Sequence, residues 1–329
     1  MTTRRNMMAG AVAAAAVSVA GRSGAQTPTQ IRISTAAPPS DFLTKALSQL
    51  KSDIDQGAVG LDISIHPAST LFKQGTEVPA LQRGNLEMST MTTFEVAQQI
   101  PALGYFNRGY LLRDYDQLRR VFDGAIGADF RKTVADKMGI EIIAMHYLGT
   151  RQVNLRQKRE VKSPADLAGI KMRMPAGPEW LLLGRTLGVT PVPLGMPEVY
   201  LALKTGTVDG QENPLSILNA AKFYEVTEQI VLTAHMVQPV FFAMAKPVWD
   251  GLNARQKKAL GDASLKAARS GDEARLADEG AIVQALKGRG LTVAEIDLAP
   301  FRTAADRVYA DSDLAKQWDA AGLARAQNA

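Results

Sequence analysis

At 329 residues, with 46% hydrophobic and 6% aromatic residues, the chain can bury a sizeable core, and its length suits two lobes or one large α/β unit. The formal charge of +5 and pI near 9.3 owe much to Arg4, Arg5 and Arg22; without these three the rest carries about +2, and no basic stripe interleaved with aromatics is present, which argues against a nucleic-acid partner. There is no cysteine, so disulfides, thiol nucleophiles and thiolate metal sites are excluded.

The first 25 residues read as an export signal. Thr3-Arg4-Arg5-Asn6 supplies the charged start, Met7 to Ala20 an apolar core of about 14 residues, and Ser23-Gly24-Ala25 a small-x-small cleavage site, so the mature chain is expected to begin near Gln26. The apolar run falls short of the about 20 residues a membrane anchor needs. Export by either the general or the twin-arginine route fits the Arg4-Arg5 pair.

Beyond the leader, strand-like and helix-like segments alternate. Ile31 to Ser34 alternates as a strand, a helix follows over roughly Asp41 to Asp55, and Leu61 to Ile65 is a second strand. Val78 to Arg83 reads as a short helix closed by Gly84. Leu86 to Ser89 reads as a strand, with Thr90, Thr92 and Thr93 at its C-terminal end. Helices are expected over Tyr115 to Phe122 and Gly127 to Met138, then a strand over Ile140 to Ala144, with the first lobe ending near Gly149. This alternation predicts a largely parallel sheet with ligands beyond the carboxyl ends of its strands. Ser163-Pro164 opens a single turn stopped by Gly169, Ile170 to Met174 alternates as a strand ended by Pro175, and Thr190 to Leu194 is extended. Glu198 to Thr205 reads as a helix stopped by Gly206, and Asn213-Pro214 as the start of a helix through Tyr224. A long amphipathic helix is expected from Leu252 to about Lys287, a strand at Leu291 to Val293, and further helices to the C-terminus.

Two positions point to a function. Arg173 ends a short apolar strand and offers a planar fork of donors that matches a carboxylate; Asn213, expected at a helix N-terminus, can add a directional amide donor. Together they suggest capture of an organic acid. Glu212 beside Asn213 reads as a structural partner, not a ligand contact. Trp180, Phe94 and Met196 are apolar residues that could line a pocket or simply fill the core. The three histidines, His66, His146 and His235, stand apart with no zinc or triad spacing, so a hydrolytic mechanism lacks its parts; no cofactor or metal is expected.

From Tyr147 to Val226 the chain resembles the solute-binding proteins of the tripartite ATP-independent periplasmic (TRAP) transporters. The residues that carry the match are Gly149-Thr150-Arg151, Ser163-Pro164 with Asp166-Leu167 and Gly169, Lys171 to Pro175, Glu198 to Leu203, and Val208 to Pro214. The resemblance implies a two-lobed α/β periplasmic binding protein fold, class II-like, with crossing strands, a ligand cleft between the lobes and long C-terminal helices. It sets residues 26–149 with about 238–277 as lobe I, and 150–237 with about 278–329 as lobe II. It implies a monomeric, exported protein that binds a small carboxylate, such as a C4-dicarboxylate, a hydroxy or keto acid or a sugar acid, and delivers it to TRAP permease subunits. Arg173 falls on the family's clamping arginine, Arg151 on its second, variable arginine and Asn213 on its carboxylate-binding asparagine. Thr92, next to Thr93, stands where sialic-acid binders carry an acidic residue, and Met196 where an aromatic is usual. Arg108 departs from the usual pattern and offers a second positive group, while His235 lies on the expected crossing strand as a hinge or cleft hydrogen-bonder or as a core histidine. Presentation of the ligand to a sensor, or catalysis on a bound acid, are the alternative readings.

Overall fold

Runs of period-two apolar spacing alternate with capped amphipathic stretches, and each becomes a strand or a helix accordingly. The structure, a computed structural model, describes residues 28–329, so the leader and its cleavage site lie outside the described residues.

The first group is β1 (Thr29–Ser34), α1 (Phe42–Gly57), β2 (Leu61–His66), α2 (Glu77–Gln82), β3 (Met88–Met91), α3 (Thr93–Gln99), α4 (Tyr115–Asp123) and α5 (Ala125–Met138). Asp41 caps α1 by accepting the Leu43 N–H at 2.9 Å, and Thr92 and Glu95 form a capping box on α3. β4 then runs 16 residues, Ile140–Leu155, well past the expected end at Ala144. A second group follows: β5 (Lys171–Met174), α6 (Pro178–Thr186), β6 (Thr190–Pro193), α7 (Val199–Thr205), β7 (Gly210–Pro214) and α8 (Leu215–Ala220). β8 (Gln229–Ala245) is another long strand, of 17 residues. α9 (Lys246–Gly251), α10 (Ala254–Gly288), β9 (Thr292–Ala294), α11 (Ala299–Ala310) and α12 (Ala320–Gln327) close the chain.

The strands form one nine-stranded sheet in the order β2-β1-β3-β8-β4-β7-β5-β6, with β9 on β8. Pairing is parallel within β2-β1-β3 and β7-β5-β6, as the βαβ alternation predicts, but antiparallel wherever β4 or β8 takes part with β3, β7 or each other. The sheet is therefore mixed, because β4 and β8 are shared by both halves. β3 pairs with the Phe241–Met244 end of β8, while β7 pairs with the Arg151–Leu155 end of β4. Their mutual register shifts at Ile142/Ala144, Tyr147/Gly149 and Arg151/Val153, and such bulges bend strands where the two halves meet.

The helix expected to start at Asn213 is displaced. Asn213 and Pro214 finish β7, and only six residues of helix follow. β7 lies between β4 and β5 and is buried throughout, so Gln211, Glu212 and Asn213 must find partners inside the protein. The 35-residue α10 packs on α1, β4 and α8, bracing both halves of the sheet from one side.

Candidate functional site

An open cavity whose empty space, the solvent at its mouth included, is about 670 Å³ lies where the two halves face each other, lined from the segment after β1, the segment before α2, α2, β3, α3, β4, β5, β7 and β8. Its position follows from strand topology: the chain ends of parallel strands open onto this crevice. Arg173, at the penultimate position of β5, is only 1% exposed yet lines the cavity. Its Nε donates to the Leu194 carbonyl at 2.8 Å and its Nη2 to Gln74 Oε1 at 2.9 Å. Both acceptors are neutral. Burial pulls its guanidinium down to about 9, with Glu212 opposing that pull and Arg151 adding to it, so it remains a cation at neutral pH.

Arg151, by contrast, has its counter-charge. It pairs with Glu212 through Nε, donates Nη2 to Glu212 Oε1 at 2.7 Å, and lies over the Trp180 ring at 4.9 Å. Trp180 in turn stacks on Phe94 with ring centroids 3.5 Å apart, joining α6 to α3 across the crevice. Burial would raise the Glu212 carboxyl, but the Arg151 charge and the hydrogen bonds from His235 and Arg151 outweigh it and hold it at about 2. His235 Nε2 stands 3.0 Å from Glu212 Oε2 and its Nδ1 2.8 Å from Thr233 Oγ1. Burial lowers the His235 pKa, which assigns a neutral ring that donates Nε2–H to Glu212 and accepts from Thr233.

Asn213 extends the network into the cavity wall. Its Oδ1 accepts from Arg151 at 3.1 Å and its Nδ2 donates to Gln211 Oε1 at 2.7 Å, leaving the second amide hydrogen available. Gln238, 1% exposed on β8, accepts from Arg151 Nη1 at 2.7 Å, and its Nε2 has no partner among the described residues although it lines the cavity. A buried amide donor left over in a cavity wall calls for an acceptor in the cavity. The opposite wall carries acidic groups. Glu77, the first residue of α2, and Glu95, held by the Thr92 N–H at 2.9 Å and by its hydroxyl, both face the cavity.

Of the residues singled out in the sequence, Arg173, Arg151, Asn213, Thr92, Trp180 and Met196 line the cavity together, while Phe94 lies in the core behind Trp180. His235 lies behind Glu212 in the same buried network. Thr93 is buried in α3, where its carbonyl accepts from Asn107, and does not line the cavity. Arg108 is also outside it, paired with Asp306 and placed over the Tyr309 ring. Gln74, Glu77 and Gln238 line the cavity without having been singled out. Gln238 sits in an apolar strand and Glu77 in a helix first turn, positions where such residues are ordinarily unremarked.

Residues 33–315 match the family model described as bacterial extracellular solute-binding protein, family 7. The chain belongs to that family. A solute-binding protein of Verminephrobacter eiseniae is 32% identical over 93% of this chain and 90% of its own. Among solved structures, a TRAP periplasmic solute-binding protein of Roseobacter denitrificans with bound 3-deoxy-D-manno-oct-2-ulosonic acid superposes with a TM-score of 0.88 at 38% identity, over 92% of this chain and 99% of that one. One from Polaromonas sp. JS666, bound to D-erythronate, gives a TM-score of 0.84 at 28% identity, over 91% and 98%. The two-lobed fold expected from the resemblance is thus that of this family 7 solute-binding protein, with its long helix α10 in the C-terminal part.

Proposed function

We propose that the protein captures a small organic acid by its carboxylate in the periplasm and delivers it to a TRAP-type membrane permease, without transforming it. The observation that carries this reading is the buried Arg173 guanidinium, which faces the cavity with only neutral partners, while Arg151 is already neutralised by Glu212. An anion's carboxylate supplies the missing counter-charge, and Asn213 and Gln238 supply directional donors beside it. The acids bound in the two solved relatives, 3-deoxy-D-manno-oct-2-ulosonic acid and D-erythronate, are carboxylates of this kind. Among the described residues no helix is long and apolar enough to cross a membrane; the proposal assigns translocation to separate membrane subunits.

The lobe assignment belongs to the same proposal: residues 26–149 with about 238–277, and 150–237 with about 278–329. The register shift at Tyr147/Gly149, opposite Pro239 and Gln238, supports a hinge at that boundary. Closure around the ligand then adds contacts that only the shut form makes.

Calorimetry on a panel of hydroxy, keto and sugar acids tests the function. Binding is expected for the wild type, and Arg173→Ala is expected to lower affinity by about 2–5 kcal/mol while far-UV circular dichroism stays the same. Unchanged affinity in that variant would refute the reading.

A further inference from the structure

Resting on the acid-binding reading, we infer that Glu77, with Glu95 beside it, makes the cavity selective for monocarboxylates whose far end donates hydrogen bonds, and turns dicarboxylates away. The cavity is bipolar. One wall presents Arg173, the spare amide hydrogen of Asn213 and the unpartnered Gln238 Nε2, all donors. The other presents Glu77 from α2 and Glu95 from α3, with the hydroxyls of Thr35 and Thr90.

Glu77 is 7% exposed and accepts the Gly75 N–H at 2.7 Å. No salt bridge joins it or Glu95 to a cation among the described residues. Burial and the nearby Glu95 charge push the Glu77 carboxyl up to about 7, against backbone N–H groups that favour its ionised form. Its hydrogen bonds come from backbone N–H groups, and no cation is paired with its charge among the described residues. Gln74, three residues earlier, reaches across to Arg173 at 2.9 Å and to the Met196 N–H at 2.9 Å, so the acidic wall is tied directly to the cationic one. A ligand gripped at one end by Arg173 therefore meets carboxylates at the other. Hydroxyl hydrogens satisfy them, whereas a second carboxylate is repelled in a site that screens charge poorly.

D-Erythronate and meso-tartrate isolate this effect, because they differ only in a terminal hydroxymethyl group replaced by a carboxylate; galactonate and galactarate form a longer pair of the same kind. Titrations are made at pH 8, above the value of about 7 for Glu77. The wild type is expected to prefer the monocarboxylate of at least one pair by roughly tenfold or more, and Glu77→Gln, which keeps the shape and removes the charge, to shrink that preference by at least roughly threefold. Equal or better binding of the dicarboxylates, or a preference untouched in Glu77→Gln, overturns the inference while leaving acid capture standing. Failure of the wild type to bind any acid of a wider panel overturns acid capture, and the inference with it.

Discussion

Glu77 and Arg173 are buried charges without buried opposite partners, and each has a thermodynamic signature. The native Glu77 carboxyl takes a proton at about 7 against 4.5 in its ordinary state, chiefly through burial. The folded protein thus binds that proton more tightly than the unfolded chain, so stability is lost as pH rises from 4.5 toward about 7. Removing the titration in Glu77→Gln is expected to flatten part of this decline, by on the order of 3 kcal/mol at most. Denaturant melts of the ligand-free protein at pH 5 and pH 8 measure it; parallel declines in both proteins would contradict the assignment. Glu179, also raised to about 7 by burial, contributes to the decline that remains, together with Glu95, Glu141 and Glu279, whose carboxyls burial raises as well. Although an Arg beside a Lys on a strand would alone read as a surface residue, Arg173 was legible in the sequence because its short strand, ended by Pro175, lies in the run Lys171 to Pro175 that resembles the family's. Glu77 was not, since an acidic residue opening a helix ordinarily just complements the helix dipole.

At the scale of elements, α10 is the brace. Its Arg275 pairs with Asp41 at 2.9 Å, both side chains buried, and also donates to Ser216 of α8, while Asp272 accepts the Tyr147 N–H of β4 at 2.7 Å. One helix thereby touches α1, α8 and the crossing strand. Arg275→Met keeps the bulk but strands the Asp41 carboxylate, and is expected to destabilise the fold by about 3–5 kcal/mol in urea unfolding. Arg289, whose guanidinium lies 4.1 Å from the Tyr224 ring centroid at the helix end, serves as control, with Arg289→Met expected to cost under about 1 kcal/mol. Similar losses in both variants would show that the buried pair is not what distinguishes them. The helix itself was readable, expected from Leu252 to about Lys287 and found from Ala254 to Gly288 behind an Asn253 cap, because its amphipathic spacing is uninterrupted. β4 and β8 were not readable at full length. Each bulge flips the face on which apolar residues fall, so alternation over Ile140 to Leu155 is lost although the strand continues. Asn213 misled for a related reason: Pro214 signals a helix start, yet here it ends a buried strand in extended conformation at ψ 147°.

For the whole molecule, two half-sheets share a pair of long strands and enclose a cavity with donors on one wall and acceptors on the other. In the proposed mode, the wall that would grip and the wall that would read come from distant stretches of chain, β5 and β7 for Arg173 and Asn213, α2 and α3 for Glu77 and Glu95. Motif order therefore pointed to Arg173, Asn213 and the family, while the acidic wall carries no motif and is tied to Arg173 only in three dimensions, through Gln74. The account is tested most directly by a crystal structure with a bound hydroxylated monocarboxylate. It predicts the ligand carboxylate on the Arg173 guanidinium at about 2.7–2.9 Å, with the chain's far hydroxyls toward Glu77. A carboxylate seated away from Arg173, or a ligand bound outside this cavity altogether, would contradict it.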